Sequence, residues 1–546
     1  MVNPFSKPIT VVVAISAIVA VVLTLAFDEG VQGNDYAQMV SVARNLTEGS
    51  GLKTDLIYYD VHYAIGGSTV PQTVFPPGQA VLVAMAGYLG VPAHVGALFW
   101  CVTAFILTAI AIALALRESG AGRLTIMSAS AVWLCMGVNW TNVLALRSES
   151  LLVATTSLGA LFLARSSSHG RFRRREIFLL SCAAASALLF RYQGLFFIAS
   201  VGLYFGVRLL ILRDRGAFVD LIVACLVPGL VTVSLFAYNL SVTGAVGGGP
   251  VDQAAMSTPI PAVALGYYYE ISKVLGVSKD GLMAGGLSEI FAIALFVYLL
   301  SLLVTGSRSD IRVTETIRRP LFVFCVTYTM ISAAAFVYLS ITKSTGYTQA
   351  RYLSTLLPFV IIPVALLAEA AMSGSRGASW RQWAGIVLLA GFVVFGQFRA
   401  TNEALQGLAA DSRLRQIQES LRSHHYEGDT MENFLRREID IGRNVLANQS
   451  QIVGYLLERP TYGLTPSLYT RRKFDIHEVQ KMTAEHSLAY LVLFPMLYDG
   501  AAIQNRNRII LTELHEGRVP DSFVPITQSQ KLHVYRINQN GQQHAR

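Results

Sequence analysis

Apolar residues run in long blocks through the first 398 positions of this 546-residue chain and break into short runs beyond them. A helix needs about 20 apolar residues to cross a ~30 Å hydrocarbon core. Blocks approaching or exceeding that length lie near 8–27, 94–116, 124–140, 149–165, 176–190, 194–212, 218–238, 288–305, 320–341, 352–372 and 383–398. The pattern predicts a polytopic α-helical membrane protein with about 11 transmembrane helices. The block 8–27 reads as an uncleaved first helix and not a signal peptide, because no small-x-small cleavage site precedes Asp28.

The polar stretches between blocks are mostly short, with two exceptions at 28–92 and 239–287. Long loops in a compact domain are usually functional or disordered. The first holds Asp28, Glu29, Asp35, Glu48, Asp55 and Asp60, then Phe75-Pro76-Pro77-Gly78 and the apolar stretch Gln79 to Val91, too short to span. That stretch predicts an interfacial or re-entrant helix, with the proline pair at its start, where a missing N–H costs little. In the run from Asn34 to Leu52, Ala37, Val40 and Ala43 fall at helical spacing and Gly49 and Gly51 end the pattern. Asp35 then sits at a helix N-terminus, which suits a plain cap as well as a reactive carboxylate.

Beyond 399 the pattern changes to an amphipathic helix near 403–422 and short apolar runs, Asn444 to Ala447, Leu488 to Phe494 and Leu532 to Ile537, separated by helix-like stretches near 450–458 and 474–485. Strands alternating with helices predict a small C-terminal α/β domain. The expected organisation is a membrane domain over 1–398 and a soluble domain over 399–546. No glycine-rich phosphate loop opens a helix of the tail, and its histidines lack metal-ligand spacing.

Composition sharpens this picture. With 53% hydrophobic and 14% charged residues, an ordinary soluble enzyme is excluded. Charge density roughly doubles at the expected boundary, from about 11% to about 23%. The formal charge of +9 is scattered between apolar runs, unlike the clustered bases of a nucleic-acid binder. All five cysteines fall in apolar stretches, so no disulfide framework or metal set is indicated. With the N-terminus inside, 17 bases fall in short cytoplasmic loops and eight face outward before the tail. This asymmetry predicts a cytoplasmic N-terminus and an extracytoplasmic C-terminal domain at the inner membrane.

Arg147, Glu149, Arg191 and Arg351 stand alone at the outer ends of blocks, with Lys343 near the last of them. An ionisable group at membrane depth points into a polar cavity, pairs with a partner, or snorkels to the interface. An arginine suits a phosphate oxygen pair, and a carboxylate suits removal of a hydroxyl proton.

The run Asn34 to Leu52 followed by Phe75-Pro76-Pro77-Gly78 resembles the first external loop of the GT-C superfamily, integral-membrane glycosyltransferases that use polyprenyl-phosphate sugars. Ser148-Glu149-Ser150-Leu151-Leu152, Phe190-Arg191-Tyr192-Gln193-Gly194, Tyr238-Asn239 with Thr243-Gly244, and Ala350-Arg351-Tyr352-Leu353 leading to Pro358 extend the resemblance over roughly 8–400. The chain is similar to the dolichyl-phosphate-mannose mannosyltransferase and aminoarabinose transferase group. It lacks the lysine that aminoarabinose transferases place before the paired prolines, and the Trp-Trp-Asp signature of oligosaccharyltransferases.

The resemblance implies a first external loop with two surface helices and an essential acidic residue. Asp35 matches the second position of the family's acidic pair, and Asn34 stands at the first, so a two-carboxylate site would need Asp28 or Glu29. The implied activity is transfer of a sugar from a polyprenyl-phosphate donor to a hydroxyl of a glycan, lipid or protein acceptor on the outer face. Asp35, with Asp28 or Glu29, would be catalytic. Arg191, Arg351, Lys343, Glu149, Arg147 and Tyr192 would form the substrate site. No metal site and no cofactor are assigned, with a divalent cation left open. The rival reading, a lipid or glycolipid flippase or transporter, should carry charges near the bilayer midplane and an internal repeat.

Overall fold

The computed structural model describes the chain outside residues 1–6, 29–33, 56–68, 168–172, 212, 215, 245, 248–258, 276–289, 291–292, 296, 299–310, 343–347, 374–383, 386, 390, 398, 403–404, 407–412, 465–472, 496–507, 516–517 and 539–546. Glu29, Lys343 and most of the block 288–305 lie outside the described residues. The first elements are α1 (Lys7–Leu25), α2 (Asn34–Thr47), β1 (Lys53–Thr54), β2 (Val70–Pro71), α3 (Gly78–Tyr88), α4 (Ala93–Glu118), α5 (Arg123–Cys135), α6 (Gly137–Leu144), α7 (Glu149–Ser167), α8 (Arg174–Phe190), α9 (Gly194–Leu210), α10 (Gly216–Thr243) and α11 (Ile260–Leu275).

The chain forms two compact units. One comprises 1–27, 97–235 and 257–408, the other 28–96, 236–256 and 409–546. The tail thus shares its unit with most of the first long loop.

In the first unit the described parts of the apolar blocks become helices. Among the described residues six are long and apolar enough to cross a membrane: α1, α4, α7, α10, Pro320–Thr342 and Ala350–Ala371. The pair α5 and α6, bent by 51°, makes a seventh if taken as one span. Of the eleven expected blocks, six or seven are matched by these candidate spans; α8 and α9 have 17 residues each and fall short of the usual length, and the blocks 288–305 and 383–398 are only partly within the described residues. The break at Met136 frees carbonyls that side chains satisfy: Asn139 Nδ2 donates to Trp133 O at 3.0 Å and Trp140 Nε1 to Leu134 O at 2.7 Å. Phe197 of α9 is fully buried and meets Phe324, Tyr328 and Phe359 edge-on, at 5.4, 5.4 and 6.0 Å. Such edge-to-face contacts favour one packing of α9 over others.

In the second unit, α2 packs on α3, whose N-cap is Pro77. In the tail a short hairpin of β3 (His425–Tyr426) and β4 (Asp429–Thr430) precedes β5 (Asn444–Ala447), β6 (Tyr462–Gly463), β7 (Leu488–Leu493), β8 (Phe523–Gln528) and β9 (His533–Ile537). The last five form one sheet in the order β6-β5-β7-β9-β8. β5 is parallel to both β6 and β7, whereas β9 is antiparallel to β7 and β8. Two hydrophobic clusters form the core: Val445, Tyr490, Val492 and Val534 belong to one, and Leu446, Leu491, Leu493 and Tyr535 to the other. The alternation of neighbouring strand positions between clusters is that of a sheet buried on both faces.

Candidate functional site

In the first unit, α6 is capped by Ala145, and Leu146 takes a left-handed φ of 51° without being glycine. Such a conformation costs on the order of 1–3 kcal/mol and recurs at functional sites. The turn ends with Glu149 as the first residue of α7, fully buried. An ionised carboxylate without water requires a cation.

Two arginines supply it. Arg191, 7% exposed, donates from Nη2 to Glu149 Oε1. Arg351 Nε lies 3.8 Å from the same oxygen. Arg191 is the extended C-cap of α8. The chain reverses into α9 so tightly that a Cβ on Gly194 would come within 2.3 Å of Leu188 N. Only glycine fits that return, and the return holds the guanidinium at the head of α7.

Tyr352 joins the pair. The guanidinium carbons of Arg351 and Arg191 lie 4.8 and 5.9 Å from its ring centroid, and its hydroxyl accepts from Arg351 Nη2 at 3.0 Å. Arg147 Nη1 donates to Asn142 Oδ1 at 3.2 Å, Asn142 Nδ2 to Ser354 Oγ at 2.8 Å, and Ser354 Oγ to Arg351 O at 2.6 Å. Arg147, Glu149, Arg191 and Arg351, scattered along the sequence, are thus brought into one network. Asn142, Tyr352 and Ser354 were not among the expected site residues, although Tyr352 lies within one of the quoted motifs. Tyr192 is half-buried in the turn before α9. Among the described residues two guanidiniums share one carboxylate beside a third, partly exposed guanidinium, and such convergent donors suit the oxygens of an anion.

In the second unit Asp35 sits in the first turn of α2, half-buried, a position where a carboxylate complements the helix dipole. Asp28 is ion-paired with Arg415, which engages the carboxylate proposed as a second acidic group. One turn after Asp35, the fully buried Gln38 donates to Gln72 Oε1 at 2.9 Å and accepts from Gln451 Nε2 at 3.4 Å. Asp55 ties the far half of α2 to the following strand. It accepts from Arg44 at 3.0 Å, Ser41 and Asn45 at 3.3 Å, and Thr69 at 2.6 Å.

Inside the tail, Glu438 accepts from Tyr490 at 2.5 Å and from Arg443 at 2.8 Å. Burial disfavours its charge, but the two hydrogen bonds together with the charges of Arg443 and Arg437 outweigh burial and hold the carboxyl below its ordinary value. Burial first, and then the bond to Glu438, push the Tyr490 phenol up to about 12. Among the described residues no group of three or more His, Cys, Asp or Glu is placed to hold a metal ion.

No protein-family model and no curated protein sequence matches the chain. Solved structures do. ArnT from Cupriavidus metallidurans, bound to undecaprenyl phosphate, aligns with a TM-score of 0.61 at 13% identity, over 96% of this chain and 97% of that one. The Archaeoglobus fulgidus oligosaccharyltransferase tethered with an acceptor peptide gives 0.57 at 13% identity, over 90% and 69%. The arabinofuranosyltransferase AftD from mycobacteria gives 0.52 at 13% identity, over 97% and 40%. At these identities the likeness is one of fold.

Proposed function

We propose that this chain, which has the GT-C fold of polyprenyl-phosphate-dependent glycosyltransferases, moves a sugar from a polyprenyl monophosphate to a hydroxyl acceptor at the outer face of the cell inner membrane. The observation that carries the reading is the arginine pair gathered around the buried Glu149 at the end of a span. Its fold neighbour ArnT binds undecaprenyl phosphate, a ligand with a matching anionic head. A lipid carrier also accounts for the many spans, because the polyprenyl tail approaches through the bilayer. The cytoplasmic N-terminus, the eleven crossings and the extracytoplasmic tail belong to the same proposal and rest on the loop charges.

In the reaction the acceptor oxygen attacks the anomeric carbon as its bond to the phosphate oxygen breaks. Asp35 takes the hydroxyl proton as general base. The electron pair leaves with polyprenyl phosphate, and Arg191 and Arg351 stabilise the charge that develops there. Glu149 holds both guanidiniums, and Arg147 acts through Asn142 and Ser354 on the backbone of Arg351. One displacement inverts the anomeric configuration.

The test is purified protein incubated with a panel of polyprenyl-phosphate sugars, following loss of donor and release of polyprenyl phosphate. Asp35→Asn abolishes turnover while donor binding persists; an active variant removes the base assignment. Movement of lipid between leaflets without a new glycosidic bond would replace this reading with a flippase.

A further inference from the structure

A cavity of about 530 Å³ lies within the second unit, along one face of α2. Tyr36, Val40, Arg44 and Thr47 form that side, and Gln418, Arg422, Arg436 and Tyr455 face the same space from tail helices. At 1.5 Å per residue, Tyr36 to Thr47 measures about 16 Å. The volume falls in the range of ligand pockets.

The lining indicates what it takes. Each of its arginines has a carboxylate: Arg44 with Asp55 at 3.0 Å, Arg422 with Glu432 at 2.8 Å, and Arg436 with Glu432 at 3.7 Å and Glu458 at 3.5 Å. With Asp55 behind the lining, the three guanidiniums face three carboxylates, so a phosphate gains little there. Guanidinium donors beside carboxylate acceptors match hydroxyl groups, which both donate and accept. Arg436 Nε is buried and has no hydrogen-bond acceptor among the described residues. Tyr36 and Tyr455, edge to face at 5.9 Å, add aromatic surface for the C–H face of a sugar ring.

We propose that this cavity is a saccharide site, and that it holds the acceptor as a glycan with its reacting end toward the first turn of α2. The lining begins at Tyr36, the residue after Asp35. The proposal rests on the transferase reading and selects the glycan among its three acceptor classes.

The test uses the full-length protein in detergent on an array of neutral oligosaccharides, without donor. Wild type binds a set of them. Thr47→Trp, which fills the half-buried end, and Gln418→Ala, which removes a lining amide, each weaken binding about tenfold or more, with unchanged melting temperature for Gln418→Ala as the check on folding. Arg351→Ala leaves glycan binding intact, and dodecyl phosphate does not compete. No bound oligosaccharide, binding indifferent to both variants, or displacement by dodecyl phosphate overturns the proposal. Glycan binding that persists while no donor supports transfer supports the cavity and sinks the transferase reading. Transfer to a non-glycan hydroxyl that is indifferent to Thr47→Trp does the reverse.

Discussion

The Tyr352 ring carries the Arg351 guanidinium, 4.8 Å from its centroid, while the Tyr352 hydroxyl accepts from Arg351 Nη2 at 3.0 Å. One side chain therefore sets both the position and the orientation of a cation proposed to meet phosphate. Tyr352→Phe keeps the ring and loses one hydrogen bond, whereas Tyr352→Leu loses both. A cation–π contact contributes about 0.5–2 kcal/mol, so the KM for the polyprenyl-phosphate donor rises about threefold to thirtyfold in Tyr352→Leu and less in Tyr352→Phe. Equal KM values in the two variants would show that the ring plays no part.

Glu149 and Arg191 are both almost wholly buried, and removing one partner of such a pair strands the other. Glu149→Gln is expected to cost about 3–5 kcal/mol, read as a fall in melting temperature in detergent. Adding Arg191→Met to Glu149→Gln recovers much of that loss while activity stays absent. Strictly additive losses would show that the two are not coupled.

Asp55, 5% exposed, gathers four side-chain donors from α2 and the strand region after it. Asp55→Asn replaces an acceptor-only group by one that also donates, which leaves donors facing donors. The expected cost is about 1–3 kcal/mol, and because α2 also carries Asp35, kcat falls in the same variant. A variant with a lowered melting temperature and unchanged kcat would separate the anchoring of α2 from its chemistry.

The tail contributes a pH dependence of its own. Glu438 titrates below its ordinary value in the folded chain, so its stabilisation is present above that ordinary value and is lost as pH falls through the lowered one. Tyr490 titrates at about 12. Its stabilisation is complete below the ordinary phenol value near 10 and is lost as pH rises from there toward 12. Melting temperature against pH should therefore fall at both ends, and Tyr490→Phe should remove the alkaline loss. An unchanged alkaline limb would assign it elsewhere.

Much of this is legible in the sequence. The helix at Asp35 and the one after Pro76-Pro77 announce themselves by periodicity, breakers and a proline start. Glu149, Arg191 and Arg351 stand out because charge at the end of an apolar block is costly. Tyr352 is harder to see, since an aromatic residue beside an apolar block looks the same whether it packs in a core or carries a cation. The pairing of Asp28 with Arg415 spans 387 positions, and no local pattern encodes a contact of that separation. The change in charge density near 399 marks where the membrane blocks stop. It carries no signal that 28–96 belongs to the same compact unit as the tail, because that association is made by buried side chains such as Gln38 and Tyr36.

The bond between Gln38 and Gln451 joins residues 413 positions apart. At 5–20 residues per second of synthesis, α2 is made roughly 20–80 s before its partner. During that interval the amide of Gln38 and the ring of Tyr36 lack the tail groups that cover them in the finished protein. The surroundings of the helix bearing the proposed base are thus completed last, so under the proposed reading activity would appear only once the tail has folded onto α2.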